Sequence, residues 1–269
     1  MAERSDLELL RAAQGGDERA IDELLGRHEK RVYRFGLRMC GNEEDAKEVL
    51  QETLLTAFRE VHNFRAEARL STWLYQIARS HCSRALRRRA GAPDEHLPLD
   101  TEDAKSVPMP DHAPDDASHA RRIGEMLEVA IKALPEKLRE ALILRDVEGL
   151  TAEEAAAAAG IEVAALKSRL HRARMQVREH LAALLGDFGG ADGPGCPELA
   201  EELHAYAAQD IDQATCIRIE AHLASCPNCA AACEQLKRAV SLCRRIPGDE
   251  VPAPVRSAVR HALLRAIQA

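Results

Sequence analysis

Six of the eight cysteines fall after Asp192, in the order Cys196, Cys216, His222-x3-Cys226-x2-Cys229-x3-Cys233 and Cys243. Two thiolates separated by two residues can share one ion. A histidine one helical turn earlier reaches the same point, so His222, Cys226 and Cys229 have metal-ligand spacing. Cys196 lies upstream, where it could complete a Cys3His tetrahedron. His204 reads as a surface histidine, with replacement of Cys196 as its alternative role. Cys216, Cys233 and Cys243 exceed what one tetrahedral site needs. They are either further soft ligands of a sensor or buried small hydrophobes. Cys229 and Cys233 share a helix face, and Cys233 comes near His222 if helices 212–224 and 229–243 form a hairpin. Such a sulfur-rich set suits zinc, copper(I) or cadmium. A redox role for Cys226-Pro-Asn-Cys229 calls for a βαβ setting, and no strand pattern is visible.

The second chemistry is cationic. Residues 165–178 hold five cations and no acid, with Lys167, Arg169, Arg172, Arg174 and Arg178 on one predicted helix. Just before it, Thr151 and Glu154 have capping-box spacing and Gly160 is placed to end a short helix. A short helix, a tight turn and a cationic helix predict a helix-turn-helix, whose second helix fits a DNA major groove. Leu166, Leu170, Ala173 and Val177 repeat at 3-4 spacing and read as its core face. Arg174 and Arg178 fit surface and contact roles equally. Residues 64–89 form another basic stretch, with seven arginines, one glutamate and the aromatics Phe64, Trp73 and Tyr75. Rings beside arginines can hold unstacked bases. Trp73 and Tyr75 equally fit a helix core.

The elements that position these groups are predicted to be helices throughout. Aromatics are 3% of the 269 residues, charged residues 30% and hydrophobic residues 46%, a mixture that favours helices over sheet. The net charge of −7 appears wrong for a nucleic-acid binder. However, eight acids and one lysine concentrate in residues 94–116, and screening over about 8 Å makes local patches decisive. Helices are expected within residues 5–89, with Asn42 capping one of them, then at 123–134 and 135–147, and through the helix-turn-helix. An amphipathic tail follows at 255–267. Five prolines mark residues 90–118 as an acidic linker. No apolar run approaches the 18 or so residues of a membrane span, and the N-terminus lacks secretory features. A cytoplasmic protein is expected.

The stretch 45–89 resembles region 2 of the extracytoplasmic-function sigma factors, and 133–181 resembles their region 4, closest in Gly160-Ile-Glu-Val-Ala-Ala-Leu-Lys-Ser-Arg-Leu-His-Arg-Ala-Arg174. Both stand in the family's order and spacing. The part with His222, Cys226 and Cys229 is similar to the zinc-binding anti-sigma domain, and the whole arrangement to metal-responsive sigma factors with a cysteine-rich C-terminus.

The resemblance implies an all-α protein. Two helical sigma domains (1–90 and 120–188) are joined by an acidic linker (91–119), then a small metal-binding module (189–245) and a tail (246–269). It implies no enzymatic activity. The expected partners are core RNA polymerase, through its β′ clamp helices and β flap, and promoter DNA, with no membrane. Asp45, Glu48, Gln51 and Glu52 would face polymerase. Asn63, Phe64, Trp73, Arg79, Arg84, Arg87 and Arg88 would bind and melt the −10 element. Lys167, Ser168, Arg169, His171 and Arg172 would read the −35 element. Cys196, His222, Cys226 and Cys229 would hold zinc, or copper or cadmium. Cys216, Cys233 and Cys243 are possible sensor additions. The linker would either enter the polymerase cleft as a nucleic-acid mimic or serve as a solvated tether. Contact between the C-terminal module and the sigma domains would provide control in cis. The rival reading is a stand-alone helix-turn-helix regulator with a structural zinc module.

Overall fold

The computed structural model describes residues 4–65, 69–91, 116–185, 196, 199–207, 213–245 and 250–267. Among these there are twelve α-helices and no strand. The acidic stretch 94–115, and with it the proposed cleft-threading role, lies outside the described residues.

The first four helices are α1 (Asp6–Gln14), α2 (Glu18–Cys40), α3 (Glu43–Glu60) and α4 (Leu70–Gly91). Their starts follow local chemistry. Ser5 and Glu8 cap α1 reciprocally, and the Asp17 carboxylate accepts from the first N–H groups of α2. Asn42 caps α3 as expected, with Glu43, Glu44 and Asp45 in the first turn, where the helix dipole favours negative charge. Gly41 ends α2 with φ 80°, a conformation that lets the chain reverse directly into α3. Leu24, Leu25, Phe35, Leu50, Leu54, Leu74 and Tyr75 fill the space between these helices, with Tyr75 tilted on Phe35 at 5.4 Å. Tyr75 is therefore core.

Helices α5 (Asp116–Ala133), α6 (Glu136–Leu142), α7 (Ala152–Ala159) and α8 (Val163–Leu185) follow. α5 begins four residues inside the span expected to be linker. The single helix expected over 135–147 is interrupted: after Leu142 a π-helical turn runs from Ile143 to Val147. The wider turn coincides with two inward-facing charged residues, Arg145 and Asp146, which hydrophobic periodicity does not anticipate.

The two helical groups do not stand apart. One apolar core runs through α1–α8, and α4 lies against the alanine-rich α7. Ala155, Ala156, Ala158 and Ala159 are all buried, and their small side chains permit close helix approach. The module after residue 195 has its own small core, with Leu203, Ile219, Cys229, Cys233 and Leu236 drawn from α9 (Ala200–Ala207), α10 (Gln213–Ser225) and α11 (Pro227–Arg245). α11 packs on α8 and on the π-helical turn. The tail helix α12 (Ala253–Ile267) returns to the first group and lies along α3. There Val251, Val255, Val259 and Leu263 join the main core. Arg256 pairs with Glu29 at 2.6 Å, and Arg260 with Asp22 at 2.8 Å. The C-terminal part thus contacts both sigma-like halves.

Candidate nucleic-acid interface and metal centre

The helix-turn-helix forms as its local signals require. Thr151 Oγ1 accepts from the Glu154 N–H at 3.2 Å, and a Glu154 carboxylate oxygen accepts from the Thr151 N–H at 3.0 Å. Gly160 adopts φ 63°, the left-handed cap that most side chains resist. Leu166, Leu170, Ala173 and Val177 are buried as expected, joined by Leu181 and Arg174, and the opposite face of α8 is turned outward. Lys167, Ser168 and Arg172 are exposed, and His171 is half-buried. Arg169 differs from them: it is largely covered and lies 3.7 Å from Glu140. Arg174 belongs to neither of the roles left open for it. It is 5% exposed and donates two bonds to Asp146, at 2.8 and 2.7 Å. It holds α8 to the π-helical turn.

On the other half, Val61–Asn63 form a 3-10 turn that leads into Phe64. Phe64 stacks on Trp73 with centroids 4.7 Å apart and planes inclined by 25°. Asn63 is exposed beside this stack, its amide donating to Glu60 at 3.0 Å. Sequence reasoning passed over Gln14. Its side-chain amide donates to the carbonyls of Val61 (3.1 Å) and Phe64 (2.7 Å), tying the turn to the end of α1. No periodicity marks a glutamine for such a task; only the fold brings it within reach.

The arginines of α4 divide into two groups. Arg84 and Arg87 are exposed, and Arg87 donates to the Ser83 carbonyl one turn back, at 3.1 Å. Arg88 pairs with Glu48 at 2.7 Å, and Arg89 pairs with Asp45. Two acids expected to face polymerase are therefore engaged by the neighbouring helix, while Gln51 and Glu52 are half-buried on α3. Arg79 is engaged as well, its Nε 2.5 Å from Glu140. Burial pushes the Glu140 carboxyl above its usual range, opposed by Arg79 and Arg169.

In the C-terminal module, ligand atoms of Cys196, His222, Cys226 and Cys229 all lie within 4.8 Å of one another. A zinc tetrahedron with three thiolates has edges of about 3.8 Å, given metal–sulfur bonds of about 2.3 Å. The Cys226 N–H bonds the His222 carbonyl at 2.9 Å, which carries the chain from α10 into α11 with both ligands on one side. Two further observations fit an ion. The Nε2 atom of His222 is buried without a hydrogen-bond partner. The Cys196 N–H points at the Cys229 sulfur, 3.3 Å away, a bond that suits a thiolate. The thiols also perturb one another. Hydrogen bonding with Cys229 pushes the Cys196 thiol up to about 11, whereas the Cys229 N–H pulls Cys226 down. Cys233 does not join the cluster; it is 1% exposed in the module's apolar core. Cys216 lies 3.6 Å from the Glu220 carboxylate. The side chains of Cys243 and His204 lie outside the described residues.

Comparison with known proteins agrees with this anatomy. Residues 24–91 match Sigma-70 region 2, residues 124–177 match Sigma-70 region 4, and residues 196–230 match a putative zinc-finger family. RNA polymerase sigma-H factor of Pseudomonas aeruginosa is 32% identical, over 69% of this chain and 98% of that protein. ECF RNA polymerase sigma factor SigM of Mycobacterium tuberculosis is 33% identical, over 68% of this chain and 86% of that protein. The chain belongs to the extracytoplasmic-function sigma factors. SigE of Mycolicibacterium smegmatis is 38% identical over 62% of this chain, which spans 65% of that relative. Among solved structures, CnrH in complex with the cytosolic domain of CnrY matches 65% of this chain and 96% of that one, with TM-score 0.49 and 22% identity. This sigma factor carries its zinc-finger-like segment on the same chain as regions 2 and 4. No described helix is long and apolar enough to cross a membrane.

Proposed function

We propose that this sigma factor directs core RNA polymerase to promoters with a −35 and a −10 element, and that an ion in its C-terminal module adjusts that activity in cis. The observation that carries the first part is the pairing, in one chain, of an outward cationic face on α8 with the Phe64–Trp73 stack. Lys167, Ser168, His171 and Arg172 are placed to meet base edges and phosphates in a major groove. The stack offers an aromatic platform beside an exposed amide, as an unpaired −10 base requires. α3, with Glu48, Gln51 and Glu52, is the docking face for the β′ clamp helices, and region 4 meets the β flap. A stand-alone regulator would leave the Asn63–Trp73 platform without a task.

Cys196, His222, Cys226 and Cys229 would hold the ion, which when bound ties the start of the module to the junction of α10 and α11. The chain's own part is to present three thiols and one imidazole, and to hand the module's position on to α8 through α11 and to α3 through α12. The donor set accommodates zinc, copper(I) or cadmium.

Transcription in vitro with core polymerase tests the first part. Arg172→Ala and Lys167→Ala should each lower initiation at a −35-dependent promoter by about 10- to 100-fold, the worth of one good base contact. Trp73→Ala should fail on duplex promoter and recover on a template already open at −10. Equal activity of all three variants and the wild type would refute the assignment.

A further inference from the structure

Gln14 is the last residue of α1 and stands upstream of residues 24–91, which match Sigma-70 region 2. Its side chain nevertheless reaches the turn assigned to the −10 element. The Nε2 atom lies 3.1 Å from the Val61 carbonyl and 2.7 Å from the Phe64 carbonyl. A side-chain amide nitrogen carries two hydrogens, so both are spent on the two ends of this turn. In return, the His62 Nδ1 donates to the main-chain carbonyl of Gln14 at 3.2 Å.

Gln14 is itself held in place. Leu9, Leu10 and Ala13 root α1 in the core. Beyond Gln14 the chain turns at once into α2. The Asp17 N–H donates to the Ala12 carbonyl and the Gly16 N–H to that of Ala13, both at 3.0 Å, with Gly16 at φ 90°. Glycine adopts that angle without the steric cost of a β-carbon. The backbone on which Gln14 stands is therefore already bonded to itself.

The turn receives this support where it matters for a base. Val61 is 1% exposed and anchors its start. The Phe64 N–H closes it on the Val61 carbonyl at 3.2 Å. Phe64 leaves in an extended conformation with ψ 115°. That angle sets the direction of the Phe64 carbonyl, the group that Gln14 holds most closely. The Phe64 ring lies on Trp73, and Asn63 stays exposed between the two carbonyls that the amide grips. A loop already set in its binding conformation does not have to be ordered at the expense of its ligand. A base accepted by the platform then keeps its full stacking energy, whereas a rejected base gains nothing from the stiffness. Order in the turn thus widens the difference between bases.

We infer that Gln14 is a positioning residue for −10 recognition. Its amide fixes the Val61–Phe64 turn so that Asn63 and Phe64 meet one unpaired base in a single geometry, which makes α1 part of the base-reading unit. The inference rests on the assignment of Asn63, Phe64 and Trp73 to the −10 platform.

Holoenzyme assembled from the full chain and core polymerase tests this. The probe is fork-junction DNA from a promoter that the wild-type holoenzyme opens, duplex through −35 and single-stranded through −10. Each single-stranded position carries each of the four bases in turn. The readout is the affinity ratio between the best and the worst base at the position that Phe64→Ala affects most. In the wild type this ratio should be about tenfold, the worth of one stacked base. Gln14→Met keeps the length of the side chain and removes both donors. It should bring the ratio close to unity, with helical content and affinity for a duplex that carries −35 alone unchanged. Joined to Phe64→Ala, it should lower the ratio no further than Phe64→Ala does by itself. His62→Ala, at an exposed position, should lower the ratio about threefold, as the loss of one hydrogen bond implies; it decides the matter if the Gln14 variant loses helical content. A wild-type ratio in Gln14→Met overturns the inference. So does a further fall in the double variant, or a loss of affinity that is equal for all four bases. If Phe64→Ala changes the ratio at no position, the platform assignment itself has failed, and the role of Gln14 falls with it.

Discussion

At the scale of single residues, charges here are placed by partners rather than by exposure. Asp146 and Arg174 are the clearest case. Both are buried and joined by two short bonds across 28 residues of chain. Removing one charge from such a pair leaves the other uncompensated, at a cost of about 3–5 kcal/mol. Asp146→Asn should therefore lower the urea midpoint of the chain markedly. The double replacement Asp146→Leu with Arg174→Met should recover most of the loss, because well-packed apolar side chains can replace a buried pair. A single variant as stable as the wild type would show that the pair is not structural. Gln14 works on the same scale: one amide spans two carbonyls and sets the turn that presents Asn63 and Phe64.

At the scale of elements, the packing of α1 on α2 carries a titratable contact. His28 is 7% exposed, and its ring nitrogen lies 3.0 Å from Asp6. Burial pulls the His28 imidazole below its usual 6.5, more than Asp6 raises it. Burial pushes Asp6 up, but Arg27 and His28 more than reverse this and leave it low. A histidine held neutral by the fold contributes stability above its unfolded value, and that stability is lost as pH falls through the folded one. The Asp6 contribution persists until the far lower carboxylate range. Thermal stability should accordingly decline as pH drops below about 6.5, and His28→Gln, which keeps a donor for Asp6, should flatten the decline. An identical pH profile in the variant would remove His28 as the cause.

At the scale of the whole molecule, the C-terminal part is bound at both ends. α11 lies on α8, and α12 lies along α3 with an apolar stripe and reaches α2 through two short ion pairs. Among the described residues the small core of α9–α11 contains few large side chains, and domains so small usually need a metal or disulfides to hold. Chelation should therefore abolish the helical signal of α9–α11 and leave the melting of α1–α8 largely in place. Cys226→Ser should reproduce that state without chelator. A single, unchanged transition under chelation would mean that the ion does not support the module.

The elements were legible in the chain because their signals are local. Asn42, Thr151 with Glu154, and Gly160 act within one turn of themselves, and the 3-4 spacing of Leu166, Leu170, Ala173 and Val177 names its own buried face. The gathering of Cys196, His222, Cys226 and Cys229 was legible for a similar reason: three of the four lie within eight residues, about the junction of α10 and α11. The destination of each exposed charge was not legible. Spacing alone treats Arg79, Arg169 and Arg174 alike as cations on helices, yet one acid holds the first two and another buries the third. Charge pairing depends on distances between helices far apart in the chain. Only the packing of α4 on α7, and of α12 on α3, decides which cations remain free for DNA and which surfaces are already covered.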